Sequence, residues 1–77
     1  MHIENSVKML RCKYLKSQEE IAERLGVTRQ TYSNYENNIK NCDIEKVISI
    51  LNAIGINESD RKEFFYALEQ DILSHKQ

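Results

Sequence analysis

The stretch that decides the fold is SQEEIAERLGVTRQTYSNYEN, residues 17–37. Ser17 followed three residues later by Glu20 is a capping box, in which hydroxyl and carboxylate satisfy N–H groups at a helix start. A helix is therefore expected to begin at Gln18, to bury Ile21, Ala22 and Leu25, and to stop at Gly26, which supplies a left-handed turn. Thr28 is placed to cap a second helix, Arg29 to Asn37. The pair Asn37-Asn38 can close it, because asparagine tolerates the left-handed conformation. At about 100° per residue this second helix separates into two faces. Arg29, Gln30, Ser33, Asn34 and Asn37 fall on one side, Tyr32 and Tyr35 on the other.

Outward from this pair, the hydrophobic spacing predicts more helices. Ile3, Val7, Leu10 and Tyr14 form one stripe of a helix from about Glu4 to Tyr14. Asp43 caps a further helix whose stripe is Ile44, Val47, Ile48, Leu51 and Ile54. Gly55 ends it, with Ile56 as the apolar residue that follows a glycine C-cap. Asn57, Glu58, Ser59 and Asp60 open a last helix with acids suited to a positive helix end. It runs to about Leu73 and offers Phe64, Phe65, Leu68 and Ile72 to the core. The chain has no proline and two glycines, a composition that favours helices joined by short turns. The expected fold is all-α: a compact five-helix bundle, one domain over residues 1–77.

Several function classes are set aside by composition. Seventy-seven residues build one small core and no deep interdomain cleft. Cys12 and Cys42 lack metal-ligand spacing, and His2 and His75 stand at opposite ends of the chain. No nucleophile–base pair is signalled, so neither catalysis nor a cofactor or metal is expected. Every apolar run is broken by charge within a few residues, which implies neither a membrane span nor a secretory segment and hence a cytoplasmic protein. Net charge is −1, but residues 1–41 hold seven bases against five acids, and the remainder four bases against seven acids.

The chemistry of the second helix carries the functional signal. A plain surface helix shows lysine and glutamate on its polar face, whereas this one shows arginine, glutamine and asparagine and no carboxylate. Such planar groups make paired hydrogen bonds to base edges, Arg to guanine and Gln or Asn to adenine. Ala22, Gly26, Tyr32 and Tyr35 meanwhile fit a helix-turn-helix: a small residue for close approach, a glycine for the turn, and two anchors for the second helix.

Leu10-Arg11, Ser17 to Ala22, Leu25 to Thr31 and Ser33 to Asn37 together make Leu10–Ile54 resemble the lambda-repressor-like, or Cro/XRE-type, helix-turn-helix family. The resemblance implies that Thr28, Arg29, Gln30, Ser33 and Asn34 meet DNA bases. It implies that Gln18, Asn37, Lys40 and Asn41 hold the DNA backbone, and that Arg11 and Glu36 form a salt bridge inside the fold. Three residues depart from the family pattern. Leu15 stands where glycine is usual, so the turn after the first helix must adopt another conformation; Asn38 also replaces a glycine, and Cys42 a proline. Lys8, Lys13 and Lys16 are read as a solvated charged face as readily as phosphate contacts.

Tyr66 and Leu73, seven residues apart, project from the far side of the last helix and mark a dimer interface, since one short reading helix spans few base pairs. The expected function is a sequence-specific DNA-binding transcriptional regulator, a homodimeric repressor of double-stranded operator DNA. The rival is an antitoxin-like or adaptor module that keeps the helix-turn-helix and holds a partner protein, a toxin or an anti-repressor.

Overall fold

The computed structural model describes residues 3–74, with side chains from residue 5 onward; His2, His75 and the side chain of Ile3 lie outside it. Five α-helices follow in order: α1 Ile3–Lys13, α2 Gln18–Leu25, α3 Arg29–Asn37, α4 Ile44–Ile54 and α5 Glu58–Ser74. A single 3₁₀ turn, Ile39–Asn41, joins α3 to α4, and no strand occurs among the described residues. No described helix is long and apolar enough to cross a membrane. The second, third and fourth helices start and end at the expected residues, because their caps are local. Ser17 and Glu20 form the reciprocal box, Thr28 accepts from the Thr31 N–H, and Asp43 accepts from the Lys46 N–H. Gly26 and Gly55 take the left-handed conformation, with φ of 72° and 80°.

Helix α2 packs on both α3 and α4, while α1 runs across α3, α5 and the 3₁₀ turn. Between them lies one cluster of Val7, Ile21, Ala22, Tyr32, Val47, Ile50, Leu51, Ile54 and Phe64, closed by Ile39 and Ile56. Each large aliphatic side chain removed from water here contributes about 1.5–3 kcal/mol. Two expectations about the core are corrected. Ile44 is 53% exposed and Ile48 is also exposed, and the buried line of α4 is Val47, Ile50, Leu51 and Ile54. The helix is turned so that this line meets α1 and α2, and Ile44 borders a groove between the 3₁₀ turn and α5. Ile72 lies on the opposite rim of that groove, 48% exposed, so the core stripe of α5 fades after Leu68.

Two turns also differ from expectation. Leu15 has φ of 58°, the one positive value outside glycine among the described residues. The turn thus keeps the left-handed geometry for which glycine is suited, in spite of the leucine. Its hydrogen bonds give the reason. Leu15 N–H donates to the Cys12 carbonyl and Lys16 N–H to the Arg11 carbonyl, each at 3.0 Å, the double bond of a Schellman cap. The Arg11 guanidinium then donates to the Lys16 carbonyl at 3.0 Å. Asn38, by contrast, is not left-handed, with φ of −130° and ψ of 40°. There the chain drops into the 3₁₀ turn, which lets Ile39 enter the core. Cys42 has φ of −82° and ψ of 143°, a backbone that a proline would share.

Polar bonds join the ends of the bundle. The Arg11 Nε donates to Glu36 Oε2 at 2.9 Å and its Nη2 to Glu36 Oε1 at 3.1 Å, with both side chains nearly removed from solvent. The Gln18 amide donates to the same carboxylate at 3.2 Å. Burial pushes the Glu36 carboxyl up, but the bonds from Arg11, the neighbouring Tyr32 phenol and the bond from Gln18 outweigh it and hold the group below the ordinary glutamate range. The Tyr32 phenol, fully buried beside this carboxylate, lacks full hydrogen-bond geometry; burial first, and the adjoining Glu36 carboxylate second, raise its pKa. A second network ties α5 to α1. Tyr14 donates to Asp60 at 2.6 Å, Lys13 to Asp60 at 2.9 Å, and the Asn57 N–H to the Tyr14 oxygen at 2.8 Å. The hydrogen bond from Tyr14, then that from Lys13, depresses the Asp60 pKa. Lys13 is thus engaged in the fold, and the first turn of α5 is capped by the Asn57 side chain at 2.8 Å.

Arg11→Met strands Glu36 in a buried site and should cost about 3 kcal/mol in urea unfolding; the double variant Arg11→Met, Glu36→Leu should recover most of that loss. Because the folded Glu36 pKa is depressed, its stabilisation is fully present above the ordinary glutamate pKa of about 4.3 and is lost as pH falls below it. The double variant should therefore lose less stability than the parent between pH 5 and pH 3 (chosen to bracket that window). Purely additive losses at neutral pH would show that the two side chains do not act together. Leu15 is 89% exposed, so Leu15→Gly gives up little packing and relieves the left-handed strain. It should add about 0.5–1 kcal/mol and raise Tm by a few degrees; an unchanged or lower Tm contradicts the strain.

Candidate nucleic-acid interface

The surface built by α2 and α3 follows from how their joint is closed. Gly26 N–H donates to the Glu23 carbonyl at 3.1 Å and Val27 N–H to the Ala22 carbonyl at 3.0 Å, so the chain reverses within two residues. Ala22 is buried, allowing close approach, and Tyr32 anchors α3 from beneath. Anchoring through Tyr32 and the half-buried Tyr35 leaves the opposite face outward. Thr28, Arg29, Gln30, Asn34 and Asn37 are exposed there, with Ser33 half-buried. The only carboxylate of α3 is Glu36, and it points inward onto Arg11. The outer face is therefore free of the negative charge that a phosphate backbone would repel.

The residues expected at this surface are held in different ways. Thr28 uses its hydroxyl within the fold, accepting from the Thr31 N–H at 3.1 Å and donating to the Thr31 hydroxyl at 2.9 Å. Gln30 donates to the Asn34 side-chain oxygen at 3.1 Å. Gln18 is half-buried, its amide bonded to Glu36, and it lines a shallow recess with Arg11, Ser17, Glu19 and Arg29. That recess opens at the N-terminus of α2, whose dipole favours an anion, with Arg11 and Arg29 on its rim and Glu19 and the Ser17–Glu20 box against it. Asn41 shares a second recess with Asn34, Asn38 and Lys46. Lys40 lies apart from that recess and faces α5, with Asp71 at 3.9 Å.

Tyr66 and Leu73 are 65% and 51% exposed on α5, remote in sequence from α3 and outside the recesses just described. Sequence reasoning passed over Lys46, whose ammonium sits 4.9 Å above the Tyr35 ring and beside the Asn34–Asn41 recess. A lysine in the first turn of α4 reads as an ordinary solvated charge, and only the tertiary placement of α4, which packs on α2 beside α3, brings it to this edge. The pairing of Lys40 with Asp71 likewise has no local signal.

Searches against curated proteins and solved structures return no match. A family model described as helix-turn-helix does match, over residues 7–60, a span that runs from the first core residue of α1 to the Asp60 network and includes both α2 and α3. With that match covering more than two thirds of the chain, and with the buried arginine–glutamate pair and capped two-helix joint already described, this protein belongs to the lambda-repressor-like helix-turn-helix family of DNA-binding regulators.

Proposed function

We propose that the chain is a cytoplasmic, sequence-specific transcriptional repressor that reads operator half-sites in the major groove with α3 and binds as a homodimer. The observation that carries this reading is the outer face of α3. It presents a guanidinium, amides and hydroxyls in a row, while its one carboxylate is turned inward and neutralised by Arg11. Arg29, Gln30 and Asn34 are the base readers, with Thr28 and Ser33 beside them. Thr28 is the weakest of these, because its hydroxyl already caps the helix. Gln18, Asn37, Lys40 and Asn41 are the backbone contacts. For Lys40 this requires turning from Asp71, its neighbour on α5 at 3.9 Å, to a phosphate oxygen. The dimer is proposed through Tyr66 and Leu73 on α5, which holds two reading helices about 34 Å apart, one turn of duplex. Net charge near zero favours specificity from base contacts over strong non-specific attraction.

Selection of bound sequences from random duplex DNA, followed by titration of the winning site, tests the reading. Arg29→Ala should cost about 1–3 kcal/mol on that site and relax one base position, with unchanged helical content. Gln18→Ala and Lys40→Ala should instead weaken selected and unrelated DNA by similar factors, because phosphate contacts carry no sequence information. Lys40→Ala should also reduce the salt slope by about one counterion. If Arg29→Ala binds the selected site as tightly as the parent, α3 is not the reading helix.

Oligomeric state is measured separately. The parent should sediment as a dimer at micromolar concentration and select an inverted repeat. Tyr66→Glu with Leu73→Glu should give a folded monomer, since the buried contacts of α5 come from Phe64, Phe65 and Leu68. Its operator affinity should fall steeply, because two half-sites are no longer held by one linked unit. A parent that stays monomeric both free and on DNA would falsify the dimer.

A further inference from the structure

Gln30 and Asn34 stand one turn apart on the outer face of α3, and both side chains are exposed. The Gln30 Nε2 donates to the Asn34 Oδ1 at 3.1 Å. Amide pairs at this i,i+4 spacing bond across a helix surface and orient each other. The bond also makes two like groups unlike. A primary amide has two N–H donors and one carbonyl oxygen. With one N–H committed to its neighbour, Gln30 retains a carbonyl oxygen and one further N–H, an acceptor beside a donor. Asn34 takes the shared hydrogen on its oxygen and presents its –NH₂ group, so its outward capacity is chiefly donor. Base edges in the major groove divide along the same line. Adenine offers the N6 donor beside the N7 acceptor, guanine offers two acceptors in O6 and N7, and thymine offers the O4 acceptor.

We propose that this hydrogen-bonded amide pair sets two adjacent positions of the recognised site: adenine opposite Gln30, and a base with an acceptor edge, guanine or thymine, opposite Asn34. The inference rests on the DNA-reading function above and names the bases at two of its positions. It makes Asn34 a positioning residue for Gln30 as well as a reader. The last torsion of a glutamine side chain is broad and roughly two-fold. Once Asn34 is removed, the Gln30 amide is free to turn over, exchanging donor for acceptor and blunting its choice of adenine.

The test is selection from random duplex DNA with the full chain as parent, Gln30→Ala and Asn34→Ala. Both sites are exposed and helical, and alanine favours helix, so circular dichroism should show the fold retained. The parent should enrich a site with adenine at one position, preferred on the order of tenfold over the other bases. Gln30→Ala should abolish that preference and leave its neighbour intact. Asn34→Ala should abolish the neighbouring preference and also weaken the adenine preference severalfold, a coupling that two independent readers would not produce. Whether the parent enriches guanine or thymine at the neighbouring position decides between the two acceptor edges. Selected DNA with no adenine that depends on Gln30 overturns the inference while leaving the reading function standing. An adenine preference undiminished by Asn34→Ala overturns it as well. So does the reverse pattern, with adenine tied to Asn34, because the shared hydrogen bond then runs the other way. A parent that enriches no sequence at all removes the reading function and this inference with it.

Discussion

A carboxylate on the inner side of a helix has to be matched by a cation and further donors before that helix can close onto its neighbours. Glu36 is that carboxylate, and Arg11 matches it with two hydrogen bonds while the Gln18 amide adds a third. Three helices therefore converge on one charged group. The same guanidinium reaches the Lys16 carbonyl, so the turn from α1 to α2 is fixed by the interaction that seats α3. Measured against an apolar replacement, a buried pair of this kind adds little net stability. Its consequence here is register. The rotation of α3 that buries Glu36 is the rotation that turns Arg29, Gln30 and Asn34 outward, so moving the ion pair would move the polar face.

The fold was legible in the sequence wherever its determinants are local. Ser17, Gly26 and Thr28 set the bounds of α2 and α3 through bonds to residues three or four positions away, and such spacing is visible without a third dimension. The burial of α4 was legible only in part: Val47, Leu51 and Ile54 are buried as their spacing implies, whereas Ile44 and Ile48 are exposed and Ile50 is buried instead. Its six large apolar side chains, at Ile44, Val47, Ile48, Ile50, Leu51 and Ile54, support two overlapping stripes, and only the neighbouring helices choose between them. At Leu15 and Asn38 the sequence misleads for the opposite reason. Residue preference pointed one way at each, and hydrogen bonds from Arg11 or the burial of Ile39 decided the backbone.

For the candidate interface, the outward face of α3 was readable as a face. Its internal bonds were not, because a hydrogen bond such as Gln30 to Asn34 depends on rotamers, and one such as Gln18 to Glu36 on how two helices cross. The network of Lys13, Tyr14, Asn57 and Asp60 joins residues far apart in the chain and left no trace in periodicity. Charge behaved in a similar way. The overall balance is slightly negative, yet the one carboxylate of the reading helix is withdrawn from the surface that faces outward, which no count of residues reveals.

The contacts of α5 are unevenly spread along its length. Its first two turns are tied to α1 by Tyr14 and Lys13 and by the buried Phe64, while beyond Leu68 its apolar residues Ile72 and Leu73 are about half exposed. Local opening free energies scale with such contacts. Amide hydrogen exchange should accordingly divide the helix in two, a protected start that opens only with the whole bundle and an end that frays on its own. The end that frays carries Asp71, the neighbour of Lys40. Fraying of the last described turn of α5 should therefore loosen the Lys40–Asp71 contact as well, which couples the mobility of the loop after α3 to that of the helix end.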